Sequence, residues 1–460
     1  MSYVCASLRI GCSAAVLALV ACGGGGSGSE TPTYMIGGSV SGLAVNESLT
    51  LANNGGNPQK VTSDGNFTFA ALVSPGASYR VTVATQPAGQ SCSVSRASGT
   101  NVMADVTTVT VTCSNLPQYA YVVNNGANSL SQYSIAASGT LLPLNPPTVQ
   151  TGTSPQSVTI DTTHHYVFVT NLGDNTVSQY IIQANGTLAP NAPALAPTGT
   201  SPWALAVDTL GSWAYVVNKV DQTVSQFSIG ADGVLQTPVF SPASTGSAPW
   251  NITLTPNGKF AYVSNHGFSP NLGTTVAQYS LTAGNGALAP LSTPTAASGN
   301  GPSGIAVDSS SSFAYVADLG DGTVSQYAIA AGGELTSLTP ALVNAGSQPL
   351  YVAIDPSNQY AYVANFTPGT PPAAAPPGTL SQYTRDSAGH LVAMASASVP
   401  TGIGPVWIAF DPFGHFVYVV NSTDASVSVY GIGAGGALQP VATVAASAGA
   451  LAIATTYAGS

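Results

Sequence analysis

The sequence predicts an all-β protein, a seven-bladed β-propeller preceded by a small β-sandwich domain. Three observations carry this expectation. Short β-branched runs are punctuated by 50 glycines and 33 prolines, with no long amphipathic helical pattern. A tetrapeptide of aromatic-Val-x-Asn type ends at Asn124, Asn171, Asn218 and Asn265, in steps of 47 residues, and then at Asp318, Asn365 and Asn421. A period in that range in an all-β chain signals propeller blades. A third pattern is a set of small residues, Thr159, Ala206, Thr253, Ala306, Ala353, Ala409 and Ala452, on the innermost strand of each repeat. Inner strands crowd the central axis, where bulky side chains would clash.

Composition narrows the function classes. Only 5% of the 460 residues are charged, so Ser, Thr, Asn, Gln and Gly must wet the surface. Seven Lys plus Arg against 17 Asp plus Glu give a net charge of −10. No basic patch exists to neutralise phosphates, so no nucleic-acid partner is expected.

Near its start the chain carries Arg9 and then an apolar run from Ile10 to Val20, too short to span a bilayer and typical of a signal-peptide core. The run ends in "LVAC" (19–22), which resembles the lipobox of bacterial lipoproteins. That resemblance implies a leader over 1–21, acylation of Cys22, and a flexible tether over 22–33. An ordinary secretory signal is the alternative reading. Gly23 after the cysteine, by resemblance to Gram-negative sorting, favours the outer membrane, so the expected partner of the N-terminus is the membrane and the expected location the cell envelope. Cys5 and Cys12 would leave with the leader. Cys92 and Cys113 remain, and an exported compartment lets them pair.

Residues 34–115 carry strand-like runs at 37–43, 48–55, 66–72, 79–87 and 106–113, separated by "NNGG", "SDG" and "SPG". This is a small β-sandwich pattern. "TQPAGQSC" followed by "VTVTC" resembles a module common in bacterial surface proteins, and the resemblance implies a Cys92–Cys113 bridge.

Residues 117–460 hold the repeat. The fifth parses as strands 303–308, 313–318, 323–329 and 334–343. The first repeat lacks an inner strand, and "GALAIATTY" (449–457) is similar enough to "SGIAVDSSS" to supply it from the chain end. Closure would remove two open sheet edges. The Asn or Asp after each Tyr-Val-x reads as a turn residue, as does the Asp ending the inner strand: Asp161, Asp208, Asp308, Asp355 and Asp411, with Thr255 and Ala454 as the two non-acidic counterparts. A cation-binding carboxylate ring is the alternative. No His, Asp or Glu cluster has metal-ligand spacing, so no metal or cofactor is expected.

"DPSNQYAYVAN" (355–365), "TVSQFSIGADGVL" (223–235) and the two "TGTSP" turns (151–155, 198–202) resemble the lactonase-type seven-bladed propeller family, which includes 6-phosphogluconolactonases. The resemblance spans about 117–460. It implies a Gly-Pro-Arg-His turn entering an inner strand, with further Arg and Glu around the channel. The turns here read "TSPQS", "TSPWA", "SAPWN", "NGPSG", "SQPLY" and "IGPVW", without Arg or His. The propeller's cations from Lys and Arg are Lys219, Lys259 and Arg385, and its one glutamate is Glu334. A phosphosugar lactone needs positive charge and an acid/base pair. No catalytic residue is therefore carried over.

Both insertions, 267–273 and 367–378, fall in second-to-third-strand turns, on the rim shared with the "TGTSP" turns. Trp203, Trp250, Trp407 and Tyr351 sit just past those turns, and Lys219 and His266 follow the Asn in adjacent blades. Together they form a candidate ligand-binding rim for a glycan, a small molecule or an envelope protein. Inter-blade packing and solvated surface are the alternative readings. His165, His390 and His415 lie on other turns. The leading expectation is a lipid-anchored, non-catalytic binding scaffold, the alternative a lactone hydrolase with a rearranged site.

Overall fold

The computed structural model describes residues 31–44, 47–236, 240–282, 284–367 and 376–458. The expected leader, Cys22 and most of the expected tether lie outside them, as does the centre of the 367–378 insertion. The chain divides into two compact units, Met1–Ser114 and Asn115–Ser460. The all-β expectation of a sandwich followed by a seven-bladed propeller holds.

The first unit packs two four-stranded sheets. One places Ile36–Ser41 between Gly65–Thr68 and Val106–Asn115, with Gln90–Ser95 beyond. The other runs Gly56–Val61, Leu49–Asn53, Tyr79–Thr85, Ser98–Gly99. Alternation decides the buried face: Val109, Val111 and Cys113 point inward along one strand, against Ile36, Leu51 and Phe67. Gly38 is needed at that contact, since a Cβ would fall 1.8 Å from the Val109 carbonyl oxygen. Cys92 and Cys113 form a disulfide between neighbouring strands. Gly56–Val61 and Gln90–Ser95 are strands that the sequence pattern missed. The first contains Pro58 and Lys60 and is a largely exposed edge, so it has no apolar alternation to read.

The second unit is seven four-stranded antiparallel blades. Blades 2 to 7 begin with inner strands Pro155–Ile160, Pro202–Val207, Pro249–Leu254, Pro302–Val307, Pro349–Ile354 and Pro405–Phe410. Blade 1 takes its inner strand, Ala450–Tyr457, from the chain end, paired with Gln118–Asn124.

The repeated motif is a set of connectors between blades. The second-strand tyrosine is fully buried, and its hydroxyl donates to a glycine carbonyl in the next blade: Tyr121 to Gly186, Tyr215 to Gly286, Tyr262 to Gly333, Tyr315 to Gly389, Tyr362 to Gly436 and Tyr418 to Gly139, all within 2.5–2.9 Å. Blade 2 has Phe168 there. The glutamine of each "SQY" or its variant accepts from a leucine N–H of the following blade, as Gln179 does from Leu235 at 2.6 Å. Blade 7 alone replaces this glutamine with Val429, buried against blade 1. Each such bond satisfies a buried backbone group that the blade cannot satisfy itself.

The aspartates ending the inner strands cap the turn that follows. Asp161 accepts from the Tyr166 N–H at 2.7 Å and Asp411 from the Phe416 N–H at 2.6 Å. Thr255 does the same through its hydroxyl, from Phe260 N–H at 3.0 Å. One expectation needs correction. Ala454 pairs with Tyr121 as Thr159 pairs with Phe168, so the small axial residue of blade 1 is Ala454, not Ala452, and the counterpart of the aspartates is Thr456. A two-residue slip keeps the same face inward, so alternation in the sequence cannot detect it.

Candidate functional site

The inner strands begin at one rim of the propeller, and the residues after their first position surround a cavity of about 350 Å³. Blades 3 and 4 contribute Trp203 and Trp250, blade 7 Val406 and Trp407, and blade 6 Leu350. Leu451 and Asn125 of blade 1 and Gln156 of blade 2 complete the wall. Blade 5 stands apart, because Ser303 at this position is fully buried and donates to the Ala317 and Pro349 carbonyls.

The rim residues singled out in the sequence fall into two aromatic pairs. Trp203 and Trp250 directly follow the proline, and their rings lie 4.4 Å apart. Tyr351 and Trp407 come one residue later, on the far side of a strand irregularity, and stack at 4.3 Å between blades 6 and 7. Tyr351 fits because blade 5 has Gly304 there; a Cβ would come 2.7 Å from the Tyr351 Cα. Tyr351 is thus an inter-blade packing residue and is not on the cavity wall, whereas Trp407 serves both.

Lys219 and His266 gather on the first pair. The Lys219 ammonium lies 3.8 Å from the Trp203 ring centroid and 4.3 Å from that of Trp250. It makes no ion pair among the described residues. Partial burial therefore pushes its pKa down to about 8. The His266 ring stacks on Trp250 at 4.5 Å. Its Nδ1 sits 3.0 Å from the Gly267 carbonyl oxygen and so carries the hydrogen, leaving Nε2 buried and without a partner. Burial holds the His266 pKa below its ordinary value, and the Lys219 charge lowers it further. Neither side chain is on the cavity wall; both lean on the indoles that are. His266 belongs to the blade 4 hairpin Phe260–Phe268 and Asn271–Leu281, which the 267–273 insertion lengthens beyond the other blades.

Grooves of about 470 and 460 Å³ lie on the opposite face, between blades 3 and 4 and between blades 2 and 3. Both use the same repeat positions, among them Asp208 and Asp161, so the repeat itself generates them. The mouth cavity has no such counterpart. No group of three or more His, Cys, Asp or Glu able to hold a metal occurs among the described residues. His165 lines one opposite-face groove, His415 is exposed on an opposite-face turn, and His390 pairs with Asp386 at 2.9 Å on the surface. His164, which the sequence pattern did not single out, bonds Thr456 at 2.8 Å and packs at a tilt against Tyr457 with ring centroids 4.0 Å apart, tying blade 2 to the closing strand.

Comparison with known proteins bears on this geometry. No curated protein matches the chain. Among solved structures, a putative 6-phosphogluconolactonase from Bacteroides fragilis superposes with a TM-score of 0.62 at 18% identity, covering 74% of this chain and 98% of that one. One from Bacteroides uniformis gives 0.63 at 16%, covering 74% and 99%. The periplasmic gluconolactonase PpgL of Pseudomonas aeruginosa gives 0.61 at 17%, again covering 74% and 99%. At these identities the likeness is one of fold. The sequence itself matches the family described as "Lactonase, 7-bladed beta-propeller" over residues 45–318, 268–371 and 378–459. With seven blades closed by the chain end and a family match across most of its length, this chain belongs to the lactonase seven-bladed β-propeller family.

Proposed function

We propose that the chain opens a lactone ring by hydrolysis, with the lactone seated in the mouth cavity against Trp203, Trp250 and Trp407. The observation that carries this reading is the cavity itself: one concave, indole-lined site on the axis of a propeller of the lactonase family. The neighbours named as gluconolactonases support the reaction class. The catalytic groups are not assigned. Lys219 and His266 have suitable chemistry, a desolvated amine and a neutral imidazole with an unclaimed lone pair, and they reach a ligand only past the indoles they pack on.

The test is release of acid from a panel of sugar and aliphatic lactones, using the full chain and the variants Trp203→Ala, Lys219→Met and His266→Gln. Turnover that falls at least about tenfold in a folded variant supports the reading. A folded protein that opens none of them overturns it. A non-catalytic binding scaffold would then remain. The absence of any charged side chain on the described cavity wall favours that second reading.

We further propose that Cys22 is lipidated and holds the protein on the cell envelope. Metabolic labelling with an alkyne fatty acid should mark the wild type and spare Cys22→Ser; equal labelling of both would refute it.

A further inference from the structure

The mouth cavity has a charge preference that family membership does not dictate. Its described wall is three indoles, three aliphatic side chains and two amides, with no Lys, Arg or His. Each amide uses one of its two N–H groups within the protein and keeps the other, so the wall offers neutral donors and acceptors but no cation. Gln156 Nε2 donates to the Ser154 carbonyl at 3.2 Å, and Asn125 Nδ2 to the Pro155 carbonyl at 3.1 Å. Both amide oxygens accept no hydrogen bond from any described group. An amide oxygen is an acceptor only, so it complements hydroxyl donors and repels phosphate or carboxylate oxygens. The nearest cation, Lys219, has its ammonium against the Trp203 and Trp250 rings, and the whole chain carries a net charge of −10. An anion entering this cavity would lose hydration without gaining a counter-charge.

We propose that the mouth selects an uncharged, hydroxylated ring, a neutral sugar lactone, and rejects both its phosphorylated form and the open-chain acid that hydrolysis produces. The apolar face of the ring would lie on the indoles while its hydroxyls donate to Gln156 Oε1 and Asn125 Oδ1. Water adds to the carbonyl carbon, the ring C–O bond breaks, and the ring oxygen leaves as a hydroxyl. The carboxylic acid so formed loses its proton to solvent. That carboxylate finds no cation on the wall, so the same surface that holds the lactone favours release of the product. The inference rests on the mouth being the lactone site proposed above.

The experiment uses intrinsic fluorescence of the full chain, since three of its four tryptophans line the cavity. It is titrated with D-glucono-1,5-lactam, a neutral lactone analogue that resists hydrolysis, with gluconate, and with glucose 6-phosphate. The lactam should change the signal saturably, with both anions at least about tenfold weaker. Gln156→Leu should weaken the lactam about tenfold without creating anion binding. An anion bound as tightly as the lactam, or no binding of any of the three, overturns the inference. The charge series on the wild type decides the matter even where the variant fails to fold. Lactam binding with this preference but no lactone turnover would keep this inference and overturn the hydrolase reading. Preferential opening of a phosphorylated lactone would do the reverse.

Discussion

Lys219 Nζ stands 3.8 Å from the centroid of the Trp203 ring, and no carboxylate pairs with it among the described residues. The ring quadrupole attracts the ammonium, while burial lowers its pKa to about 8. The same charge bears on His266, whose pKa is lowered first by burial and then by Lys219. Replacing Lys219 with Met should therefore move the His266 pKa upward while leaving it below 6.5, because burial remains. Titration of the His266 ring signals by NMR in both proteins checks this. An unchanged or lower value in the variant would show that Lys219 does not act on His266.

Asp318 stands where the other six blades have Asn. In those blades the amide donates to third-strand hydroxyls, as Asn171 does to Ser178 at 2.9 Å. In blade 5 the direction reverses: Thr323 and Ser325 donate to one oxygen of Asp318, and the other oxygen is buried without a partner. Burial raises the pKa from 3.8 to about 7, with the two hydroxyls opposing it. The folded state then binds this proton more tightly than the unfolded state. The stability it contributes is full below about pH 4, falls as pH rises toward 7, and is flat above. Asp318→Asn should remove that slope and add on the order of 2–4 kcal/mol at pH 8. Denaturant melts of both proteins between pH 4 and 8 read it directly, and parallel stability curves would refute it.

Repetition made much of this fold legible in the sequence. Six further copies tested the features of the fifth repeat, so the strand order, the small axial residues and the aromatic-Val-x-Asn positions stood out above chance, whereas the bridging role of the glutamines did not. What could not be read were features set by single events. The strand at Gly56–Val61 lies on an edge and buries little. The two-residue slip of Ala450–Tyr457 preserves alternation. Membership of the mouth is partly legible: the turns show that Trp203, Trp250, Lys219 and His266 share a rim. Which indole faces the axis and which packs between blades depends on the irregularity after each proline, as Tyr351 and Trp250 illustrate. His164 could not be found at all, because its partner Thr456 is 292 residues away.

The seam between blades 7 and 1 is the ring's least connected joint in one respect. Val429 removes the glutamine bridge that the other joints have, leaving the Tyr418 to Gly139 bond at 2.9 Å, the Tyr133 to Ala445 bond at 3.5 Å and the closing strand. That strand buries Ala450, Ala452, Ile453 and Thr456. Deleting residues 448–460 would leave Gln118–Asn124 as an unpaired sheet edge and expose this apolar surface together. The truncated chain should lose its cooperative melt and become sensitive to protease throughout the propeller. A truncated chain that melts within about 2 °C of the full one would mean the closing strand contributes little.

Arg385 crosses from blade 6 to blade 5 and is the propeller's one cation in a buried ion pair among the described residues. Its guanidinium donates to the Asn358 carbonyl at 2.7 Å, to the Tyr315 hydroxyl at 3.0 Å and to Asp308 at 3.2 Å. Asp308 is itself tied to its turn, accepting from the Ser312 and Phe313 N–H groups at 2.8 and 2.9 Å. Forming such a pair gains little net stability, since desolvation nearly cancels the attraction. Removing one member is different. Arg385→Met leaves the Asp308 carboxylate buried, with backbone donors but no counter-charge, and should cost about 3–5 kcal/mol in a denaturant melt. Adding Asp308→Asn removes the stranded charge while keeping the turn acceptor, so the double variant should recover most of that loss. If the two substitutions instead add, the pair is not coupled, and the stability of this joint lies in the Tyr315 and Asn358 bonds alone.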